Sequence, residues 1–177
     1  MSHRRAVRNA LLAALATGLV SVGTAFAALS ASVANLTLPA VTFANTAQTT
    51  SGTMILTATD TGPIPLGWNV TIQASAFVYS GPNGGTNIAA SSFSLTSAAA
   101  PVLVPGQGQA IDPTGGPKVP AVSPVGALNV ARKVLQANLL YGVGTYTQAL
   151  GVTLAIPAQA RTGTYTTSLT TTISSGP

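Results

Sequence analysis

Gly67-Trp68-Asn69-Val70-Thr71-Ile72-Gln73-Ala74-Ser75-Ala76 decides the fold. Trp68, Val70, Ile72, Ala74 and Ala76 fall on one parity, and Asn69, Thr71, Gln73 and Ser75 on the other. Side chains of a strand alternate between two faces, so this segment reads as a β-strand with one face buried and the other wet. Two further segments carry the same pattern. Leu150, Val152, Leu154 and Ile156 are interleaved with Ala149, Gly151, Thr153 and Ala155. Tyr165, Thr167, Leu169, Thr171 and Ile173 alternate with Thr166, Ser168, Thr170 and Thr172. Threonine is β-branched and stiff at χ1, which favours strand over helix.

Weaker strands are expected over 35–43, 52–59, 91–97 and 101–104. Another is expected over 127–137, with Val130, Val134 and Leu135 as core candidates, although its Ala/Arg/Lys/Leu/Gln content also suits a short helix. Asp60-Thr61-Gly62-Pro63 and Gly81-Pro82-Asn83-Gly84-Gly85 are the sharpest turn signals. Arg161-Thr162-Gly163 reads as a tight connection between the last two strands, and the Gly/Pro-rich 105–124 segment as a long loop. No repeat of 20–50 residues is evident. Short strands separated by turns argue for an antiparallel sandwich or barrel. The expectation taken forward is an all-β fold, an antiparallel β-sandwich forming a single domain after a signal peptide.

The N-terminus has a different character. His3, Arg4, Arg5 and Arg8 precede an apolar Ala/Leu-rich stretch over 10–20, and Ala25-Phe26-Ala27 supplies small residues at the positions a signal peptidase reads. Residues 1–27 are therefore expected to be a secretory signal peptide, cleaved after Ala27 or one residue later, and 28–177 the exported domain. The residues after Arg4-Arg5 match a twin-arginine signal poorly. A domain of this length buries roughly 70% of its unfolded surface, so it needs no disulfide staples, and the chain has no Cys.

Composition then narrows the function. Only 5% of the 177 residues are charged, against about 25% in an ordinary soluble domain. Past the leader no segment approaches the roughly 18 uninterrupted apolar residues of a spanning helix, so a Thr/Ser/Gly-rich β protein with no membrane span is expected. The cations beyond residue 27 are Lys118, Arg132, Lys133 and Arg161, scattered rather than clustered. Nucleic-acid binding requires a basic patch, so the pI of about 10.3 does not point there. The one His lies in the leader, and residues 28–177 hold no His, Cys or Glu. Ser–His and Cys–His nucleophiles and an ordinary zinc site are thereby excluded. Asp60 and Asp112 remain, the minimum for a glycosidase pair, but both stand in turn contexts. The expectation is a non-enzymatic protein with no cofactor and no metal.

One set of segments carries more information. Leu38-Pro39-Ala40-Val41-Thr42 is followed by 53–60, by Gly67-Trp68-Asn69-Val70-Thr71, and by Gly142-Val143-Gly144-Thr145-Tyr146. Leu154-Ala155-Ile156-Pro157-Ala158, Gly163-Thr164-Tyr165 and the closing Ser174-Ser175-Gly176-Pro177 complete the order. In order and spacing this resembles the WxL domain of bacterial cell-surface proteins over most of residues 28–177. The first family motif stands here as Trp68-Asn69-Val70; the second falls at Thr171-Thr172-Ile173, without its Trp. The resemblance implies a β-sandwich that attaches non-covalently to the cell wall through peptidoglycan, and hence a secreted, extracellular location at the bacterial surface.

Trp68, Tyr141, Tyr146 and Tyr165 are the candidate ligand-binding residues, since a ring with a polar tip suits stacking on a sugar. Parity places Trp68 on the inward face, which makes it a core candidate as well. The expected partners are a cell-wall glycan or other surface proteins. The alternative is self-association as a structural subunit of a surface layer, pilus or coat, because long uncharged Thr-rich strands pair edge to edge. A module for a soluble glycan would need a row of exposed aromatics, and the chain has one Trp. The chain runs to Pro177 directly after the last expected strand with no sorting signal, so the protein is expected to be released, or held non-covalently by itself or by a partner.

Overall fold

The computed structural model describes residues 29–177, which contain no α-helix. The expected signal peptide and its cleavage site lie outside the described residues. The strands are β1 (Leu29–Val33), β2 (Gln48–Asp60), β3 (Trp68–Ala74), β4 (Val78–Ser80), β5 (Phe93–Ala98) and β6 (Val102–Gly108). They continue as β7 (Gly126–Ala127), β8 (Arg132–Ala137), β9 (Gly144–Ile156), β10 (Thr164–Thr166) and β11 (Leu169–Ser175). Every pairing is antiparallel.

One sheet has the order β1-β2-β9-β5-β7. The far edge of the long β9 is shared, with β6 on its first half and β5 on its second. The second sheet is β11-β3-β8, and β10 and β4 form a small ribbon. Inward residues of the two sheets make one core. Met54, Leu56, Ala58, Leu95, Tyr146, Leu150 and Val152 come from the first, and Trp68, Val70, Ile72, Val134 and Leu135 from the second. The all-β antiparallel expectation holds, with the two sheets packed as a sandwich. On the outer face hydroxyls pair across strands, Ser51 with Thr153 at 2.7 Å and Thr59 with Thr145 at 3.2 Å. Such cross-strand pairs stabilise a sheet without burial.

Several expectations need correction. The segment 35–43 is irregular, not a strand: β1 ends at Val33, and the chain leaves the edge of β2 with Leu36 and Leu38 packed beside Gly52. Val130 is half exposed, because 128–131 form the turn that splits the expected 127–137 strand into β7 and β8. Val134 and Leu135 are both buried although consecutive. A bulge permits this: Val70 pairs with Leu135 but Thr71 with Lys133, so Val134 is the extra residue. Ala76 is exposed, past the end of β3. The expected strand over 165–173 breaks in two. At the break the Ser168 N–H donates to Ser75 Oγ at 3.1 Å and Thr167 Oγ1 donates to the Ser75 carbonyl at 2.7 Å. Hydroxyls there compete with the ladder, and the chain changes partner from β4 to β3.

Candidate functional site

Trp68 opens β3 and is completely buried. Its indole Nε1–H donates to the Gly142 carbonyl at 3.0 Å, and its ring lies 6.3 Å from that of Tyr146. Gly142 has φ +92°, and a Cβ there would stand 2.7 Å from Trp68 Nε1, so only glycine fits. Tyr146 is also completely buried. Its hydroxyl lies 2.6 Å from the Gln109 carbonyl and 2.9 Å from the Val143 carbonyl, and its single proton serves one of them at a time. Burial, and then the charge of Asp60, push its pKa above the ordinary phenol value, which keeps it a neutral donor. As the chain is folded, Trp68 and Tyr146 present no ring face to a ligand; they pin loops from beneath.

Those loops form one end of the molecule. Gln109 Nε2 donates to the Leu140 carbonyl at 3.2 Å and Gln109 Oε1 accepts the Gly142 N–H at 3.0 Å. The Leu140 N–H donates to the Pro65 carbonyl at 2.8 Å. These bonds hold Leu140 at φ +74°, a conformation that costs on the order of 1–3 kcal/mol outside glycine. Tyr141 follows, half-buried, its ring against Gly115. It belongs to this loop network and is well separated in the sequence from the fourth candidate.

Tyr165 lies in the small ribbon, opposite Tyr79, with ring centroids 5.3 Å apart. Its hydroxyl donates to the Arg161 carbonyl at 3.0 Å and accepts the Arg161 N–H at 3.1 Å. The Tyr79 hydroxyl donates to the Thr162 carbonyl at 3.0 Å and accepts the Asn83 N–H at 3.1 Å. Asn83 Nδ2 donates to Thr162 Oγ1 at 2.7 Å. Together the two tyrosines fasten the 81–85 turn to the 157–163 connection. Beside them opens a cleft of about 1140 Å³ between the 31–44 segment and residues 160–171. Met54, Phe77, Phe93 and Leu154 line its apolar side, threonines are frequent along it, and Arg161 is its one charged residue. Tyr165 lines this cleft; Trp68, Tyr141 and Tyr146 do not.

The carboxylates serve turns. Asp60 is buried and accepts the Gly62 N–H at 2.8 Å. Asp112 is half-buried; its Oδ1 accepts the Gly115 N–H at 2.6 Å, the Thr114 hydroxyl at 2.7 Å and the Thr114 N–H at 2.8 Å. These bonds, with Gly115 the largest contributor, hold its pKa below the ordinary 3.8. Among the described residues no three His, Cys, Asp or Glu side chains cluster, and no helix is long and apolar enough to cross a membrane.

No family model matches the chain, and neither does any curated protein. The first motif position, Trp68-Asn69-Val70, and the segment where the second would fall, Thr171-Thr172-Ile173, lie on paired strands. Val70 stands opposite Ile173 in the β3–β11 register, and Trp68 opposite Ser175. Residues that sequence reasoning had not singled out as a site line a smaller cavity of about 300 Å³, formed by Phe43, Asn83, Arg161 and Thr162, three of which also line the cleft. Asn83, Arg161 and Thr162 had read as turn residues and Phe43 as the end of a strand. No signal in the sequence joins positions so far apart.

Proposed function

We propose that this chain is an exported, non-enzymatic protein that attaches non-covalently to the bacterial cell wall, with the cleft between 31–44 and 160–171 as its polymer-binding face. The observation that carries the reading is the chemistry of that cleft. It is open, with apolar side chains, several threonine hydroxyls and, among the described residues, one cation, Arg161, along its lining. Extended glycans are held in this way, with apolar ring faces against carbon-rich surface and hydroxyls exchanging hydrogen bonds. The resemblance to WxL domains points to the same class of partner, and its first motif position and the segment where the second would fall share one pair of strands.

The test is co-sedimentation of the purified exported protein with insoluble peptidoglycan from a thick-walled bacterium. Retention on the pellet, reduced by soluble wall fragments, is expected. Protein that remains in the supernatant with wall of every source tested would sink the reading.

A second reading, self-assembly, has its own observation. β1 covers only Leu56–Asp60 of β2, and the Ala34 N–H reaches the Ile55 carbonyl. By the same parity the backbone groups of Thr49, Ser51 and Thr53 point away from β9, with no backbone partner among the described residues. This half-edge carries no charge, and charges are what blunt edge pairing. Sedimentation velocity from micromolar to millimolar protein tests it; one monomeric species throughout would remove it.

A further inference from the structure

We infer that the apolar tip formed by Ile64, Leu66, Leu139 and Leu140 is a membrane-docking surface, which rests in the interface of a lipid bilayer at the end of the molecule where the chain enters the sandwich. The tip is separate from the cleft. None of the four residues lines it, and Gln48 and Ile156, which do, mark the opposite end of the β2–β9 pair. Ile64 is 64% exposed, Leu66 56%, Leu139 57% and Leu140 64%. One such side chain in water is ordinary, but four on two touching loops make a patch. The loops touch because the Leu140 N–H donates to the Pro65 carbonyl at 2.8 Å and the backbone of residues 138 and 139 lies against Gly67.

The fold holds this patch outward at a cost. Among the described residues Leu140 is the only one besides glycines with a positive φ, +74°. Asparagine or glycine suits that conformation better than leucine. The backbone around it is largely engaged within the chain. Gln109 bonds the Leu140 carbonyl and the Gly142 N–H, and Pro63 and Pro65 have no N–H to satisfy. A loop that enters a nonpolar phase has to carry few unmet donors. Neither 61–67 nor 138–143 holds a charged residue, so nothing in these loops resists leaving water as an ion would.

The place of the tip names its occupant. Asp60, the last residue of β2, pairs with Leu29 on one side and with Gly144 on the other. The start of β1, the 61–67 loop and the 138–143 loop therefore share one end of the molecule. Upstream of Leu29, residues 9–28 carry no charge and follow Arg4, Arg5 and Arg8. A basic flank and then an uncharged apolar run is the composition that a bilayer takes up. The chain thus comes to the sandwich from the bilayer, at the end where the four side chains project. Area argues against a second copy as the occupant. A patch of this kind is on the order of a few hundred Å², below the roughly 800 Å² per partner of a standard protein interface. Loop tips that dip into a lipid interface need only their own apolar surface.

The test is flotation of purified residues 28–177, which contain every described strand and the whole core, with vesicles of phosphatidylethanolamine and phosphatidylglycerol. The protein should rise with the vesicles at low salt and still at about 1 M salt, since apolar contacts outlast screening. Ile64→Ser and Leu140→Asn should each weaken binding by about three- to tenfold, the scale of one large apolar side chain partly withdrawn from water. Leu140→Asn should also keep or raise the urea midpoint, because asparagine tolerates the left-handed backbone. Val78→Thr, at a residue 55% exposed on the small ribbon, should bind as the wild type does. Protein that stays below the vesicles overturns the surface, as does binding that both tip variants leave unchanged or that about 1 M salt abolishes. A dimer in sedimentation velocity that disperses on Leu140→Asn overturns it too, and makes a second copy the occupant. Retention on insoluble peptidoglycan should be equal for Leu140→Asn and the wild type, so this inference and the wall reading can fail separately. Retention lost in Leu140→Asn would instead put the tip on the wall-binding face.

Discussion

Trp68 shows how much one side chain organises here. It fills the core with its ring and spends its one polar atom on Gly142, so it joins the second sheet to the 138–143 loop. Trp68→Ala should destabilise by about 3–5 kcal/mol, the scale of emptying a large aromatic site, read as a lowered urea midpoint. Trp68→Phe keeps most of the ring and strands the carbonyl, so a loss nearer 1–3 kcal/mol is expected. A near-wild-type midpoint for Trp68→Ala together with lost wall binding would instead make Trp68 a ligand contact. Tyr146→Phe leaves the Gln109 and Val143 carbonyls without their donor and should cost about 1–3 kcal/mol. Asp112 gives a pH signature. Its pKa is depressed in the folded protein, so its contribution is complete above the ordinary value of 3.8 and is lost as pH falls through the lower folded value. The Thr114 and Gly115 amide signals should therefore move with a midpoint below 3.8; a midpoint above it would contradict the hydrogen-bonded turn.

At the scale of elements, β9 ties the molecule together. It carries β2 along its full length on one edge and β6 and β5 on the other. Gln148 lies inside it, buried, and its Nε2 donates to Ala99 at 2.9 Å and across the sandwich to the Val134 carbonyl in β8 at 3.1 Å. Its Oε1 has no partner among the described residues. Gln148→Ala leaves a cavity and two carbonyls short of a donor, so a loss of about 2–4 kcal/mol is expected in thermal unfolding; an unchanged melting temperature would deny the bridge between sheets. The alternation of β3 was plain in the sequence because its two faces meet water and core from end to end. That of β9 was legible only over 150–156, because Gln148 is a polar residue on the inward parity. The 35–43 segment reads as strand from its apolar residues, yet Leu36 and Leu38 pack down beside Gly52 instead of pairing with the open edge of β2, a contact with a later part of the chain that the local pattern does not show. The bulge that buries both Val134 and Leu135 has the same non-local origin.

For the molecule as a whole, the sandwich explains the low charge in part. The outer faces are built of paired hydroxyls, so polarity is supplied without ions. Fold class was written in period and turn chemistry. The candidate site was not, because it is assembled from Phe43, Asn83, Arg161 and Thr162, which lie in three segments far apart in the sequence. Of the four aromatics chosen from the sequence, only Tyr165 borders the cleft. The central claim is that this face grips wall polymer mainly through apolar and hydroxyl contacts, with one cation adding to them. Co-sedimentation of the purified protein with insoluble peptidoglycan, from low salt to 1 M, tests it directly, since salt at about 1 M cuts the screening length to roughly 3 Å. The account predicts that binding weakens modestly and persists at the highest salt. Binding that vanishes there, or that never occurs, would contradict it.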